Sequence, residues 1–264
     1  MNVITLQEIL KPAPTTLALL KESAITDGGI MISCVDTDFQ QMIQQLRSWI
    51  IPIIRHSTDE IQQSGAFDEF TSKGGGYISV QNQAYSHFVR FLITIDQKAL
   101  PLGFDRKVIA EFRNCINRLS NIVSCVMVGL ERAFSLPDKM LISQFSKCKS
   151  LLEYNYYYPL DPAEKVAGSE IVDGKFMRMK AHIDVWPLTL TIPAQEGLNA
   201  LQFADVSENY SHVSFSADSV LLHFGRGIQS WLPDDCRVLT PLHRVVTNSS
   251  YEERFSCLVK YSQL

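Results

Sequence analysis

Three short segments in the last third of the chain carry residue types that can do chemistry together. They are His182-Ile183-Asp184, His243-Arg244-Val245-Val246 and Arg254-Phe255-Ser256. Two histidines and one carboxylate are the ligand set that leaves half of an octahedral iron(II) open for oxygen chemistry. In a strand, residues i and i+2 project to the same face. His182 and Asp184 can therefore share one metal, with His243 arriving from another strand. By the same alternation Arg254 and Ser256 share a face. A guanidinium fork beside a hydroxyl is a clamp for a carboxylate.

The elements that must position these residues read as short strands. From about Leu151 the expected strands are Leu152–Tyr158, Phe176–Asp184, Leu188–Ile192, Leu201–Ala204, Val213–Ser216, Val220–Phe224, Gln229–Leu232, Arg237–Leu239, Arg244–Thr247 and Arg254–Tyr261. Turn chemistry separates them, as at Asp161-Pro162, Asp173-Gly174, Glu196-Gly197, Ala217-Asp218 and Pro233-Asp234-Asp235. Evenly spaced short strands indicate a sandwich or barrel. The first half reads as mainly helical with a few strands. Thr5 to Leu20 suits a short strand and a helix, and Gly28–Ser33 a turn into a buried strand. Met42, Leu46, Trp49 and Ile50 fall at helical spacing, ended or kinked by Pro52. Ser64–Gly76 reads as a loop, with Gly74–Gly76 a candidate lid. The clearest helix starts near Asp105, a fitting N-cap. Ile109, Phe112, Ile116, Leu119, Val123, Met127 and Leu130 trace one apolar stripe along it, so it should buttress a large sheet.

Composition excludes several classes of function. A net charge of −4 and an isoelectric point near 5.9 give no footprint for nucleic acid. The longest apolar run, Trp49–Ile54, is too short to span a bilayer. Met1–Thr5 does not open a signal peptide. Cys34, Cys115, Cys125, Cys148, Cys236 and Cys257 are scattered without metal or redox spacing, as expected of reduced thiols in a cytoplasmic protein. A small-molecule partner is expected, with neither nucleic acid nor membrane. Oligomeric state is not encoded in these features.

The order of Tyr156-Tyr157-Tyr158-Pro159, His182-x-Asp184-x-x-x-Leu188-Thr189-Leu190, Gly197-Leu198, His243-Arg244-Val245-Val246 and Arg254-Phe255-Ser256 resembles the isopenicillin N synthase-like iron(II)/2-oxoglutarate oxygenases. The resemblance is specific over Leu151–Tyr261 and diffuse before it. It implies a mainly β fold: a double-stranded β-helix, or jelly roll, over 151–264, with a helical region over 1–150 packed on it as one compact unit. It implies His182, Asp184 and His243 as iron ligands. Arg254 and Ser256 would bind the far carboxylate of 2-oxoglutarate. A tyrosine of the Tyr-Tyr-Pro segment often joins that clamp; counting back from Pro159 points to Tyr158, and counting from Asn155 points to Tyr157. This chain departs from the family in having His223-Phe224-Gly225-Arg226 for an Asn-x-Gly-Asp turn, and Asp234-Asp235-Cys236 for an Asn-Gly hairpin. Lys180 and Trp186 flank the His-x-Asp pair at two-residue spacing. Alternation would aim both at the metal side, as candidate substrate contacts.

The expected function is an iron(II)- and 2-oxoglutarate-dependent dioxygenase. It would oxidise, most simply hydroxylate, a small organic molecule with O2, releasing succinate and CO2, with ascorbate as a candidate reductant. An iron oxidase of the same fold that dispenses with 2-oxoglutarate is one alternative, and a non-catalytic metal-binding sensor is another. A zinc hydrolase is disfavoured because no general base is apparent near the triad. His223 reads as a hydrogen-bonded core histidine or as a group behind the ligands. His56, His87 and His212 read as surface residues.

Overall fold

The computed structural model describes residues 1–33, 76–80, 88–94, 106–157, 171–172, 175–193, 200–205, 207–216, 218–246 and 254–263, together with Asp38, Gln41, Met42, Gln44, Gln45 and Ser48, which are helical. The expectations for Leu46, Trp49, Ile50, Pro52, Gly74, Gly75, Asp105, Tyr158 and Gly197-Leu198 lie outside the described residues.

The strands are β1 (Val3–Thr5), β2 (Gly29–Ser33), β3 (Gly76–Val80), β4 (Phe88–Thr94), β5 (Lys149–Tyr157), β6 (Ile171–Val172), β7 (Lys175–His182), β8 (Leu188–Pro193), β9 (Leu201–Ala204), β10 (Tyr210–His212), β11 (Ser219–Phe224), β12 (His243–Val246) and β13 (Arg254–Ser262). An eight-stranded sheet runs β1-β2-β11-β8-β13-β5-β4-β3, and a five-stranded sheet runs β10-β9-β12-β7-β6. From β5 onward the chain passes back and forth between the two sheets. Four strands of the larger sheet come from the first half of the sequence. Helices α1 (Leu6–Leu10), α2 (Pro14–Thr26), α3 (Arg106–Ala133) and α4 (Met140–Phe145) complete the described elements, with a 3-10 helix at Arg226–Trp231.

Strand alternation divides the apolar residues between two cores. Ile30 and Ile32 of β2, Leu188, Leu190 and Ile192 of β8, Val220, Leu222 and Phe224 of β11, and Cys257, Val259 and Tyr261 of β13 pack with the helices. The opposite faces carry Met31, Leu221 and Tyr157, which meet Met179, Leu201, Phe203 and Val245 of the smaller sheet. The expected buttress is present: Ile116, Leu119, Val123, Met127 and Leu130 of α3 are all buried in the first core. Gly129 of α3 brings α2 close, since a Cβ there would stand 2.9 Å from Leu20 Cδ1. Glu131, buried near the end of α3, accepts the Ile142 N–H in the first turn of α4 at 2.9 Å. That satisfies a donor the short helix leaves open.

Three expected strands differ. Gln229–Leu232 falls in the 3-10 helix, where Ile228 and Trp231 reach the core at a spacing of one turn. Arg237–Leu239 pairs with no strand among the described residues. The strand expected at Val213–Ser216 lies earlier, at Tyr210–His212, against β9. In each case short apolar runs are compatible with either geometry, and packing decides.

Candidate metal centre

His182 is the last residue of β7, and His243 the first of β12. The two are direct register partners across the smaller sheet. Asp184 follows β7 in a tight bend, Val185–Pro187, that leads into β8. These three side chains converge, with one ligand atom from each lying within 4.8 Å of the others. His182 and His243 ring centroids are 4.3 Å apart.

The surroundings prepare these atoms for a cation. His182 Nδ1 meets the Lys180 carbonyl at 2.9 Å, and His243 Nδ1 meets the Pro241 carbonyl at 3.1 Å. A carbonyl only accepts, so each Nδ1 carries the proton and each Nε2 keeps a free lone pair. Burial first, and then the neighbouring His223 and His182, push His243 down to about 3, so it is neutral and ready as a ligand at neutral pH. Burial alone would raise the Asp184 carboxyl. The adjacent His182 ring, 3.6 Å away, the hydrogen bond from His223 and the charge of Lys260 outweigh it and hold Asp184 well below the usual carboxylate range. Asp184 Oδ2 accepts from Thr189 Oγ1 at 2.6 Å and from His223 Nε2 at 3.1 Å. With Oδ2 occupied, Oδ1 is the oxygen left for a metal. The donor set therefore fits one divalent ion: two imidazole nitrogens and one ionised oxygen. Asp184 is 7% exposed but His182 is 31% exposed, which leaves an approach for a small molecule.

The bend is held by backbone. Gly225 N–H donates to the Pro187 carbonyl at 3.0 Å, and Arg226 N–H donates to the Asp184 carbonyl at 2.8 Å. A Cβ on Gly225 would collide with the Trp186 carbonyl and lie 2.6 Å from that of Asp184. Only glycine permits this approach.

The cavity beside the triad is lined by Ser256, Leu258 and Lys260 of β13, Glu153, Asn155 and Tyr157 of β5, and Thr191 of β8, together with His223, Met179, Leu201 and Val245. Ser256 is buried there, opposite Asn155. Arg254 stands two residues earlier on β13, opposite Tyr157. Tyr157 lines the cavity, whereas the Tyr158 expectation lies outside the described residues.

The two candidate substrate contacts lie apart from the cavity lining. Lys180 does not join His182 inside the cavity; its side chain is exposed and only its carbonyl serves the site. The β7–β12 register slips between His243/His182 and Val245/Met179, so an extra residue in β7 breaks the alternation. Met179 takes the inward position. Trp186 is half-buried in the bend and is not among the cavity residues. Alternation cannot extend to it, because β7 ends at His182.

The sequence reading missed Lys260, Glu153 and Thr191. Lys260 Nζ pairs with Glu153 Oε2 at 2.9 Å and stands 4.0 Å from Asp184 Oδ1. Asn155 donates to the other Glu153 oxygen at 3.1 Å. The available signal was alternation: Arg254, Ser256, Leu258 and Lys260 form one face of a strand, and a cation in such a face needs a buried partner.

Comparison with known proteins finds likeness in structure alone. No family model matches the sequence, and no curated protein matches it. A full-length Neurospora crassa protein, solved in complex with alpha-KG, superposes with a TM-score of 0.72 at 14% identity, over 98% of this chain and 84% of that one. The dioxygenase for auxin oxidation from rice gives 0.71 at 16%, over 98% and 82%. JOX2, solved with 2OG, Fe and JA, gives 0.73 at 15%, over 99% and 74%. The chain thus has the fold of solved 2-oxoglutarate- and iron-binding oxygenases.

Proposed function

We propose that this protein is a non-haem iron(II)- and 2-oxoglutarate-dependent dioxygenase acting on a small organic molecule. The observation that carries the reading is the triad itself. One ligand atom from each of His182, Asp184 and His243 converges, while His182 Nδ1, Asp184 Oδ2 and His243 Nδ1 are engaged elsewhere, as an open-sided iron site requires. The exchange of the chain between two sheets, and the likeness of the solved structures, support a double-stranded β-helix. In this reading 151–264 forms the core, and 1–150 packs on it and completes its larger sheet.

When bound, iron(II) would supply the redox chemistry that couples O2 to decarboxylation of the keto acid and oxidation of the substrate. The chain's own residues bind and orient. His182, Asp184 and His243 hold the metal and leave one side open. Thr189 and His223 fix the Asp184 carboxylate. Arg254 and Ser256 receive the far carboxylate of 2-oxoglutarate, and Tyr157 stands in the same cavity for the tyrosine role. Leu201, Val245, Leu258 and Met179 exclude water beside the metal. Hydroxylation is the simplest outcome, with release of succinate and CO2.

A cytoplasmic setting accords with the five described cysteines, all free thiols. Among the described residues, no helix is long and apolar enough to cross a membrane. The test is anaerobic addition of 2-oxoglutarate to the iron(II) protein. Chelation by the keto acid should produce a visible charge-transfer band that His243→Ala abolishes. An iron(II) protein that binds metal but shows no response to 2-oxoglutarate would indicate the oxidase that dispenses with it.

A further inference from the structure

Thr191 carries a hydroxyl that the described residues leave unused. Leu188, Leu190 and Ile192 of β8 face the helix-side core, so Thr189 and Thr191 face the other way. Thr189 is engaged by Asp184. Thr191 is 5% exposed and lines the metal cavity, yet its Oγ1 has no hydrogen-bond partner among the described residues. Buried polar atoms are nearly always paired, and a valine would fill the same space without the unpaired hydroxyl. The exception calls for a ligand.

The register says where that ligand lies. On β13, Thr189 faces Lys260, Thr191 faces Leu258 and Pro193 faces Ser256. Thr191 therefore stands one rung, about 7 Å along the strand, from the rung that holds the metal ligand Asp184. It stands the same distance from the rung of Ser256. A five-carbon diacid reaching from the metal to Arg254 and Ser256 must pass over it. We propose that Thr191 is a further binding residue whose hydroxyl donates a hydrogen bond to a carboxylate oxygen of the bound 2-oxo diacid. An ionised carboxylate only accepts, so the hydroxyl is the donor. Lys260 cannot take this part, because Glu153 already holds it. The inference rests on the iron and 2-oxoglutarate reading given above.

Thr191→Val and Thr191→Ser, loaded with manganese(II) in the absence of oxygen, test it by calorimetric titration with 2-oxoglutarate. Thr191→Val should bind about tenfold more weakly, as expected for loss of a hydrogen bond to a charged group. Thr191→Ser, which keeps the donor, should stay within about threefold of the parent. The metal-free Thr191→Val protein should melt no lower than the parent, because it loses an unpaired buried hydroxyl. Equal affinity in Thr191→Val and parent would overturn the inference, and so would a lower melting temperature in the metal-free valine variant. A parent that binds manganese but not 2-oxoglutarate would instead overturn the functional reading beneath it.

Discussion

Gly225→Ala should damage the metal centre without touching any ligand. An added Cβ would lie 2.6 Å from the Asp184 carbonyl oxygen, where ordinary contact begins near 3.4 Å, and would also strike the Trp186 carbonyl. Both obstacles are backbone, so the Asp184 carbonyl must retreat by about 0.8 Å, the difference of those two distances, and the nearer Trp186 carbonyl by more. Metal sites tolerate ligand displacements of only ~0.2 Å. The Arg226 N–H that donates to the Asp184 carbonyl would shift with it. Overpacking of this kind costs about 1–3 kcal/mol of stability, and disturbing the support of a ligand weakens metal binding by about 10- to 100-fold. Gly129→Ala is the matched control. Its Cβ meets only Leu20 Cδ1, the end of a side chain that can turn aside. Alanine is also favoured over glycine inside a helix by about 1 kcal/mol. Calorimetric titration with cobalt(II), with thermal melts of both variants, should show metal affinity lost in Gly225→Ala and kept in Gly129→Ala. Parent-like affinity in Gly225→Ala would refute the claim that the bend is held in place by that close approach.

Arg254→Ala should weaken 2-oxoglutarate binding by about 10- to 100-fold, the value of roughly 1.5–3 kcal/mol for a hydrogen-bonded charge, and Ser256→Ala by less; calorimetry on the manganese protein reads both. Lys260→Met leaves Glu153 buried without its ammonium partner and should cost about 3–5 kcal/mol in urea denaturation. Adding Glu153→Met to it should restore most of the loss, and a single variant as stable as the parent would refute the pairing. Burial pushes the Cys148 thiol from 9.0 up to about 11. Its contribution is therefore complete below pH 9 and is lost as pH rises toward 11. Melting temperature should fall over that window, with a shallower fall in Cys148→Ser.

The chemistry-bearing residues were legible because strand alternation and ligand type are local properties. His182, Asp184 and His243 meet as read, and Ser256 lines the cavity beside them. The long helix was legible for the same reason, since its stripe from Ile116 to Leu130 repeats at one period. What alternation could not carry was its own interruption. One extra residue in β7 turned Lys180 outward and Met179 inward, and the end of β7 at His182 took Trp186 out of phase. Neither event leaves a mark in residue type. The Lys260–Glu153 pair joins residues far apart in the chain, and only the β13–β5 register places them together. The 3-10 helix at Arg226–Trp231 resembles a strand in composition because both bury apolar residues at short intervals over a short run.

The most direct test of the central claim is a product assay on the iron(II)-loaded protein with carbon-labelled 2-oxoglutarate and O2. With ascorbate added to reduce the second oxygen atom of O2 to water, decarboxylation of the keto acid balances without the primary substrate, so an unknown substrate is no obstacle. The account predicts labelled succinate and CO2 in equal amounts from the parent, and none from His182→Ala, Asp184→Ala or His243→Ala. Succinate formed equally by parent and all three variants, or a parent that binds iron(II) and 2-oxoglutarate yet forms none, would contradict it.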